Sequence, residues 1–510
     1  MIALIVFILM VFQNVQSTEL KSTELKSNEH NVAKNNIDSE VVANVGNIKI
    51  TNEEFRLNYE FGPVFTKKIN NSKEKHLNYM INEKLFALEA EAIGLDTSRQ
   101  VINYLNTINS DLATEELYID EILSKVEIMD NEIDSVITRK SMDVKVKWLF
   151  SDSEFEINSL NLKLKSGIPF VSLFKQRYKL KEEIDSKELK TNRYLLGKKN
   201  PSLGKIVDTL ESKKFSKPIF MDDGWYIIYL ESFNQQAILT ETDFTRLKTE
   251  AIDAVKMIKM NSISDKYVNN LMIDNVPIIK STAFRILRSY LSNYILKKEL
   301  YEQWSLPQKM DEALAELDNK SKSDISKLVL INMKSTEVTI SQFLEWFWLR
   351  DQYIKFDNSS LEAYTLSLKD IVFRMVRDEL LTNTAKKKGY FESDVVKKQF
   401  SWWREKVLSS AFKNYLRNTI NVSSDEIAPQ KGNEKDINID IEKEYTAKLF
   451  RTIQKLKQKY SIVIDEDILD NIIVSEEENP SAISLYTIKK GGLIPRTPYP
   501  TIDSEWANWE

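Results

Sequence analysis

Histidine occurs twice in the 510-residue chain, at His30 and His76, and cysteine does not occur at all. A thiol nucleophile, a disulfide framework, a cysteine zinc site and a thiolate-held iron–sulfur cluster are therefore excluded. Acid–base chemistry that needs a histidine has only those two, both near the N-terminus. His76 lies in a helical run of mixed charge, Lys73 to Lys84, and reads as solvent-exposed rather than as a ligand. The carboxylate runs Asp465-Glu466-Asp467 and Glu476-Glu477-Glu478 lack the glycine and spacing of a calcium loop. No phosphate loop, dinucleotide fingerprint, Gly-x-Ser-x-Gly elbow or His-Glu-x-x-His helix is present. The expectation is no metal and no cofactor. With 71 Lys and Arg against 76 Asp and Glu, nothing in the charge calls for nucleic acid as a partner. What remains is binding chemistry. Phe343-Leu-Glu-Trp346-Phe347-Trp348, with Tyr353, is the densest aromatic cluster. Phe343 and Phe347 share a helix face and read as core, while Trp346 and Trp348 would offer apolar area to an unfolded segment. Trp402 and Trp403 are adjacent and cannot both face one core from a helix, so one is expected at a surface or interface.

The elements that position these residues are written twice. Val41 to Ile50 reads as a hairpin turning at Gly46-Asn47. Thr51 and Glu54 then form a capping box before Phe55. Leu328 to Ile331 is strand-like, and Thr339 with Gln342 repeats the box before Phe343, 288 residues on. Ile81-Asn-Glu-Lys-Leu85-Phe86 matches Val376-Arg-Asp-Glu-Leu380-Leu381, and Gly94 matches Gly389, both 295 residues apart. Each glycine stands where a helix C-cap belongs. Asn131-Glu-Ile133 matches Asp425-Glu-Ile427. The repeated unit is a strand pair followed by three or four helices. Scarce glycine and proline, 11 of each, fit long helices.

At the N-terminus Ile2 to Phe12 has the length of a signal-peptide apolar core and is too short to span a bilayer. Val15 and Ser17 supply the small residues of a cleavage site, although no Lys or Arg precedes the run. Residues 1–17 are expected to be a signal peptide and 18–40 a linker. The chain is expected to be exported to the periplasm or cell envelope, with membrane contact only through an uncleaved N-terminus.

Between the two copies the pattern changes to βααβ. Val144, Val146 and Trp148 alternate with Lys145 and Lys147, a half-buried strand. Phe155 to Lys165 and Phe170 to Tyr178 are helical, and Asp222-Asp-Gly224 turns into the strand Trp225-Tyr-Ile-Ile-Tyr-Leu230. Asn44-Val-Gly-Asn-Ile-Lys-Ile-Thr51 followed by Ile81-Asn-Glu-Lys-Leu85 resembles the N-terminal chaperone domain of exported parvulin-type foldases, the SurA and PrsA class. Val146 to Phe150, Phe170 to Tyr178 and Phe215 to Leu230 resemble a parvulin peptidyl-prolyl isomerase domain. The resemblance covers residues 40 to 300.

It implies an α+β, mostly α fold: two SurA-like helical chaperone domains and one parvulin-like βααβ module with a small antiparallel sheet. The domains are then 41–137 (chaperone), 138–236 (parvulin-like), 237–325 (a helical segment completing the chaperone domain), 326–430 (second chaperone-like domain) and 431–510 (charged linker, helix and proline-rich tail). It also implies rotation about X–Pro bonds, a barrier of about 18–20 kcal/mol. The family's two active-site histidines fall on Lys147 and Tyr226 of this chain, so neither is histidine. The loop that normally supplies pocket residues reads Gly197-Lys-Lys-Asn-Pro-Ser-Leu203-Gly-Lys-Ile206. Leu203 and Ile206 fill part of the prolyl pocket, with Phe220 as a further substrate contact. The expectation is an eroded isomerase site in a chaperone for unfolded or extended polypeptides. The alternatives are an active isomerase with a Lys147/Tyr226 pair and a non-catalytic structural subunit of a surface assembly. The tail, Gly491 to Pro500, either docks in extended form on a neighbouring surface or is a disordered end.

Overall fold

The computed structural model describes residues 39–67, 69–221, 223–236, 240–334, 336–351, 354–420, 434–474 and 497–509. The expected signal peptide and most of its linker, His30, Asp222, Tyr353, the Asp425-Glu-Ile427 match, Glu476 to Glu478 and the start of the tail lie outside the described residues. The chain forms two compact units, one of Met1–Ser124 with Asp265–Glu510 and one of Lys125–Ser264. The fold is α+β and mostly helical.

In the first unit, β1 (Val41–Val45) and β2 (Ile48–Thr51) pair antiparallel about Gly46, whose φ of +58° is the left-handed conformation glycine adopts without strain. Then come α1 (Asn52–Phe61), α2 (Ser72–Ala92) and α3 (Arg99–Glu121). Thr51 caps α1, its hydroxyl accepting from Glu54 N–H at 3.2 Å. The expected return bond from the Glu54 carboxylate is replaced by an ion pair with Lys84. Gly94, with φ +78°, ends α2, and Ser98 caps α3.

The second unit begins with α4 (Asp130–Lys140) and the long strand β3 (Met142–Ser151). Next are α5 (Glu154–Lys165), α6 (Phe170–Arg177), α7 (Lys181–Asp185), β4 (Glu188–Asn192), α8 (Arg193–Lys199), α9 (Pro201–Thr209), β5 (Ile219–Met221) and β6 (Gly224–Gln235). The four strands form one antiparallel sheet in the order β4-β3-β6-β5. Residues 197–206, expected as a loop, are helical: Asn200 accepts from Leu203 N–H at 2.9 Å and Pro201 stands in the first turn of α9, where its missing N–H costs nothing.

Helix α10 (Glu241–Asn275) packs Ala251 and Val255 against Ile133, Val136 and Ile137 of α4, and carries the chain past residue 264. After it come β7 (Ile278–Ile279), α11 (Ser281–Ile295) and the shorter α12 (Lys298–Gln303), α13 (Leu306–Ala315) and α14 (Asn319–Ser323). The second repeat is β8 (Val329–Asn332), β9 (Glu337–Thr339), α15 (Ile340–Trp348), α16 (Leu361–Lys387) and α17 (Asp394–Asn418). Next come α18 (Glu434–Lys459), β10 (Ile462–Ile464) and α19 (Glu466–Asn471), and the last described element is a 3-10 helix, Ser504–Trp509.

The duplication extends to single hydrogen bonds. Asn52 N–H donates to Glu40 O at 2.8 Å, and Ile340 N–H, 288 positions later, to Leu328 O at 3.0 Å. Asp465 N–H donates to Val42 O at 2.9 Å and Lys280 N–H to Leu330 O at 2.8 Å. Both hairpins carry a bulge at the matching place, Val41/Ala43 and Val329/Ile331. The repeats are completed crosswise. The strand beside β1 is β10, from beyond the second repeat, and the strand beside β8 is β7, from before it. Likewise α17 lies along α2, and α3 lies along α16. Of segment 237–325, expected to complete the first chaperone domain, the part from residue 265 onward packs on the second repeat instead: Leu271, Met272, Ile279 and Leu287 join Leu330, Phe343 and Leu380 in one core. The first is completed by α18, whose Leu449 and Ile453 meet Leu85 and Phe86.

This crosswise packing corrects two readings. Trp402 and Trp403 are both buried, because α17 is covered by α2 on one side and α3 on another. Glu83, Lys84 and His76, on the supposed solvated face of α2, are also buried, His76 completely.

Candidate functional site

The sheet of the second unit sorts its residues by the alternation of strands. Across β3 and β6, Lys147 stands opposite Tyr229 and Leu149 opposite Ile227. Those residues face α5 and α6, where Leu149, Ile227 and Tyr229 pack on Ile157, Phe170 and Phe174. Trp148 stands opposite Ile228 and Phe150 opposite Tyr226, on the other face, where Ile228 packs with Leu196, Leu203 and Val207 of α8 and α9. Lys147 and Tyr226 thus point to opposite faces and are not brought together. Lys147 Nζ is 2.6 Å from Glu231 Oε1 and 3.7 Å from Glu188 Oε2 and lies over the Phe174 ring. Tyr226 donates its hydroxyl proton to Asp223 Oδ1 at 2.7 Å, and burial, then that carboxylate, hold the phenol well above its usual range. Its neighbours on its own face are Trp148 and Phe150, whose ring is 5.0 Å away. A shift of one residue moves every side chain of a strand to the other face, and that is the error in pairing Lys147 with Tyr226.

Leu203 is core, and Ile206, half-buried, packs against the same cluster as Tyr226. Phe220 is exposed on the edge strand β5, 5.3 Å from the Trp225 ring. The turn before β6 requires glycine. Gly224 has φ +150°, and a Cβ there would lie 2.6 Å from the Phe150 ring.

In the first unit Trp346 and Trp348 diverge. Trp346 is half-buried, donates from Nε1 to Asp378 Oδ2 at 3.0 Å and carries the Arg350 guanidinium 4.7 Å from its ring. Trp348 is exposed and meets the exposed Tyr294 edge-on at 5.8 Å.

The larger polar constellation of this unit was not singled out from the sequence. Between α1, α2 and α17 runs a groove that holds residues 500–506 of the tail. Asn58 donates from Nδ2 to Pro500 O at 3.2 Å, and its Oδ1 accepts from Ile502 N–H at 3.1 Å. His76 Nε2 lies 2.9 Å from the same Oδ1 and its Nδ1 3.0 Å from Thr66 Oγ1. The amide oxygen can only accept, so His76 donates from Nε2 and receives the Thr66 proton at Nδ1. Burial, then nearby Lys67, pushes the His76 pKa down to about 3, which keeps this ring neutral. Glu83 Oε1 accepts from Asp503 N–H and from Trp506 Nε1, each at 2.9 Å. Lys406 lies 2.8 Å from Glu83 and 2.9 Å from Asp503, and Lys413 pairs with Asp503 and Glu505. Ile502 and Trp506 are buried with Phe86 and Phe412.

Under the groove Lys84 is held between Glu54 and Glu405 beside a cavity of about 20 Å³, room for about one water. Burial raises the Glu54 pKa to about 7 against the pull of Lys84. Burial alone would lower Lys84, but the Glu405 and Glu54 carboxylates outweigh it and its net shift is upward. One cation there serves two buried acids, which favours uptake of a proton by Glu54. A signal for the groove existed in the repeats: Asn58 occupies the position that is Trp346 one repeat later, and Glu83 that of Asp378. Among the described residues no cluster of acidic and histidine side chains suits a metal ion.

Neither a protein-family model nor a curated protein sequence matches the chain. Solved structures are similar to it over less than half its length. They include the peptidylprolyl isomerase PrsA of Bacillus cereus, 15% identical over 46% of this chain and 92% of that one, with a TM-score of 0.25. PrsA of Bacillus subtilis is 16% identical over 45% and 93%, with a TM-score of 0.17. A SurA-like chaperone structure from Campylobacter jejuni is 16% identical over 46% and 97%, with a TM-score of 0.22.

Proposed function

We propose that this chain binds unfolded or extended polypeptides as a chaperone-like foldase, that its parvulin-like module is a degenerate isomerase, and that it serves envelope or secreted clients after export. The observation that carries the reading is the groove of the first unit, where one carboxamide, Asn58, pairs with the C=O of Pro500 and the N–H of Ile502. Recognition through main-chain groups tolerates many client sequences, and the flanking apolar contacts add affinity. The exposed Trp348 and Tyr294 supply further apolar area on the same unit.

The degenerate isomerase is supported by the two faces of the sheet. The phenol of Tyr226 is engaged by Asp223, its face otherwise offers Trp148 and Phe150, and Lys147 is neutralised by carboxylates on the opposite face. The same geometry disfavours an active Lys147/Tyr226 pair. Export is supported by the apolar run Ile2 to Phe12. The test is suppression of aggregation of a chemically unfolded client by the intact chain. Suppression near equimolar ratio is expected, and no effect at several-fold excess overturns the reading.

A further inference from the structure

The two repeats present an acid at the same place and satisfy it with different indoles. Asp378 of α16 accepts from Trp346, which stands on α15 of the same repeat. Its counterpart Glu83 of α2 accepts from Trp506, which comes from the far end of the chain. The position matching Trp346 is Asn58, and the smaller side chain leaves open the groove that the tail enters. Where the second repeat is plugged by its own tryptophan, the first is built to receive one.

The contacts are those of a peptide in a site. Asn58, itself fixed by His76, reads backbone groups two residues apart. Ile502 and Trp506 are the buried anchors, 2% and 1% exposed. Lys406 and Lys413 meet the acidic side chains at the rim. Beside the tail a hollow of about 360 Å³, walled by Phe61, Pro63 and Trp403, adjoins Thr501 and Ser504, so the groove has room for larger side chains than these.

We propose that this groove is a binding site for polypeptide segments carrying an aliphatic residue, then an acid, then an indole on a following 3-10 turn, at the spacing of Ile502, Asp503 and Trp506, and that the chain's own tail occupies it in cis as a competitor. The proposal rests on the polypeptide-binding reading above and adds its specificity and its control. A tethered segment acts at an effective concentration on the order of 1 mM, so weak segments are excluded and only clients with stronger or multiple anchors displace it.

The test uses the full-length chain and a fluorescent synthetic peptide of residues 497–510, read by anisotropy. Trp506→Ala is expected to bind the peptide at least ~10-fold more tightly than the unaltered chain, whose tail competes at its tethered concentration. Adding Asn58→Trp, which plugs the groove as Trp346 does, is expected to abolish that binding. Equal or absent binding by both chains, with the helical content of Trp506→Ala retained, overturns the proposal. Should Trp506→Ala fail to fold, hydrogen exchange on the unaltered chain decides. Ile502 and Asp503 amides that exchange well ahead of those of Leu85 and Phe86 support a releasable tail. Equal protection means the tail leaves only on global unfolding and overturns it. Peptide binding without suppression of client aggregation would remove the chaperone reading and keep the groove; suppression without peptide binding would do the reverse.

Discussion

Replacing Glu54 by Gln tests the buried acid–lysine–acid arrangement directly. Folding raises this carboxyl from 4.5 to about 7, because burial disfavours its charge and Glu405 competes for Lys84. Below about pH 4.5 the group is neutral in both states and its ionisation costs folding nothing. Between there and about 7 the folded chain binds the extra proton, so stability falls as pH rises, and above 7 the full cost is present. At about 1.36 kcal/mol per pH unit the gap amounts to an upper bound of about 3 kcal/mol. Glutamine keeps the shape and cannot ionise. Lys84 retains Glu405 in the variant, so no cation is left stranded. The stability of Glu54→Gln relative to the unaltered chain should therefore climb between pH 5 and pH 8 by a sizeable part of that bound. The assay is urea unfolding followed by far-ultraviolet ellipticity at several pH values, comparing midpoints and slopes within each buffer. A difference flat within about 0.5 kcal/mol, well under the 1.36 kcal/mol of one pH unit, would refute the reasoning, since it would mean that Lys84 holds both carboxylates ionised despite burial.

Other outcomes follow from the same geometry. His76 has the opposite sign: its folded pKa of about 3 lies below the ordinary 6.5, so the chain loses stability as pH falls through that window, by up to about 1.4 kcal/mol per pH unit, and His76→Gln should flatten that part of a urea-midpoint profile. Gly224→Ala forces a methyl group against Phe150 at a left-handed φ and should destabilise the second unit by about 1–3 kcal/mol, read as a lowered thermal midpoint. In a proline-specific isomerase assay the chain should show no rate above background, and Lys147→Ala and Tyr226→Phe should leave it unchanged. A clear rate that is lost in Tyr226→Phe would restore a working site on that face. Ser393→Ala removes the hydroxyl that accepts from Val396 N–H at the start of α17 and should cost about 1 kcal/mol in urea unfolding.

Much of the local structure was legible because it rests on short-range chemistry. Thr51, Thr339, Gly94 and Gly389 mark helix ends through their own side chains or backbone freedom, and all four do so in the fold. Phe343 and Phe347, one helical turn apart, share a buried face as their spacing requires. His76 was misread because a charged run predicts solvent only when the far side of a helix is uncovered, whereas α2 is packed by α1, α17 and α18. Glu54 was misread as a reciprocal cap because Lys84, 30 residues on, offers its carboxylate a stronger partner.

The sequence alone determined the absence of thiol chemistry, the duplication at offsets of 288 and 295, many of the helix ends, and the absence of histidine from residues 138–236. Those are matters of residue type and near spacing. Tertiary structure decided which repeat each late element completes, since strand pairing such as β1 with β10 joins residues more than 400 apart and leaves little local signature. It also decided that Lys147 and Tyr226 face away from each other, because strand side chains alternate and the face depends on register to a single residue. And it placed the tail on Asn58, where an amide meets backbone groups that every residue possesses and no motif can announce.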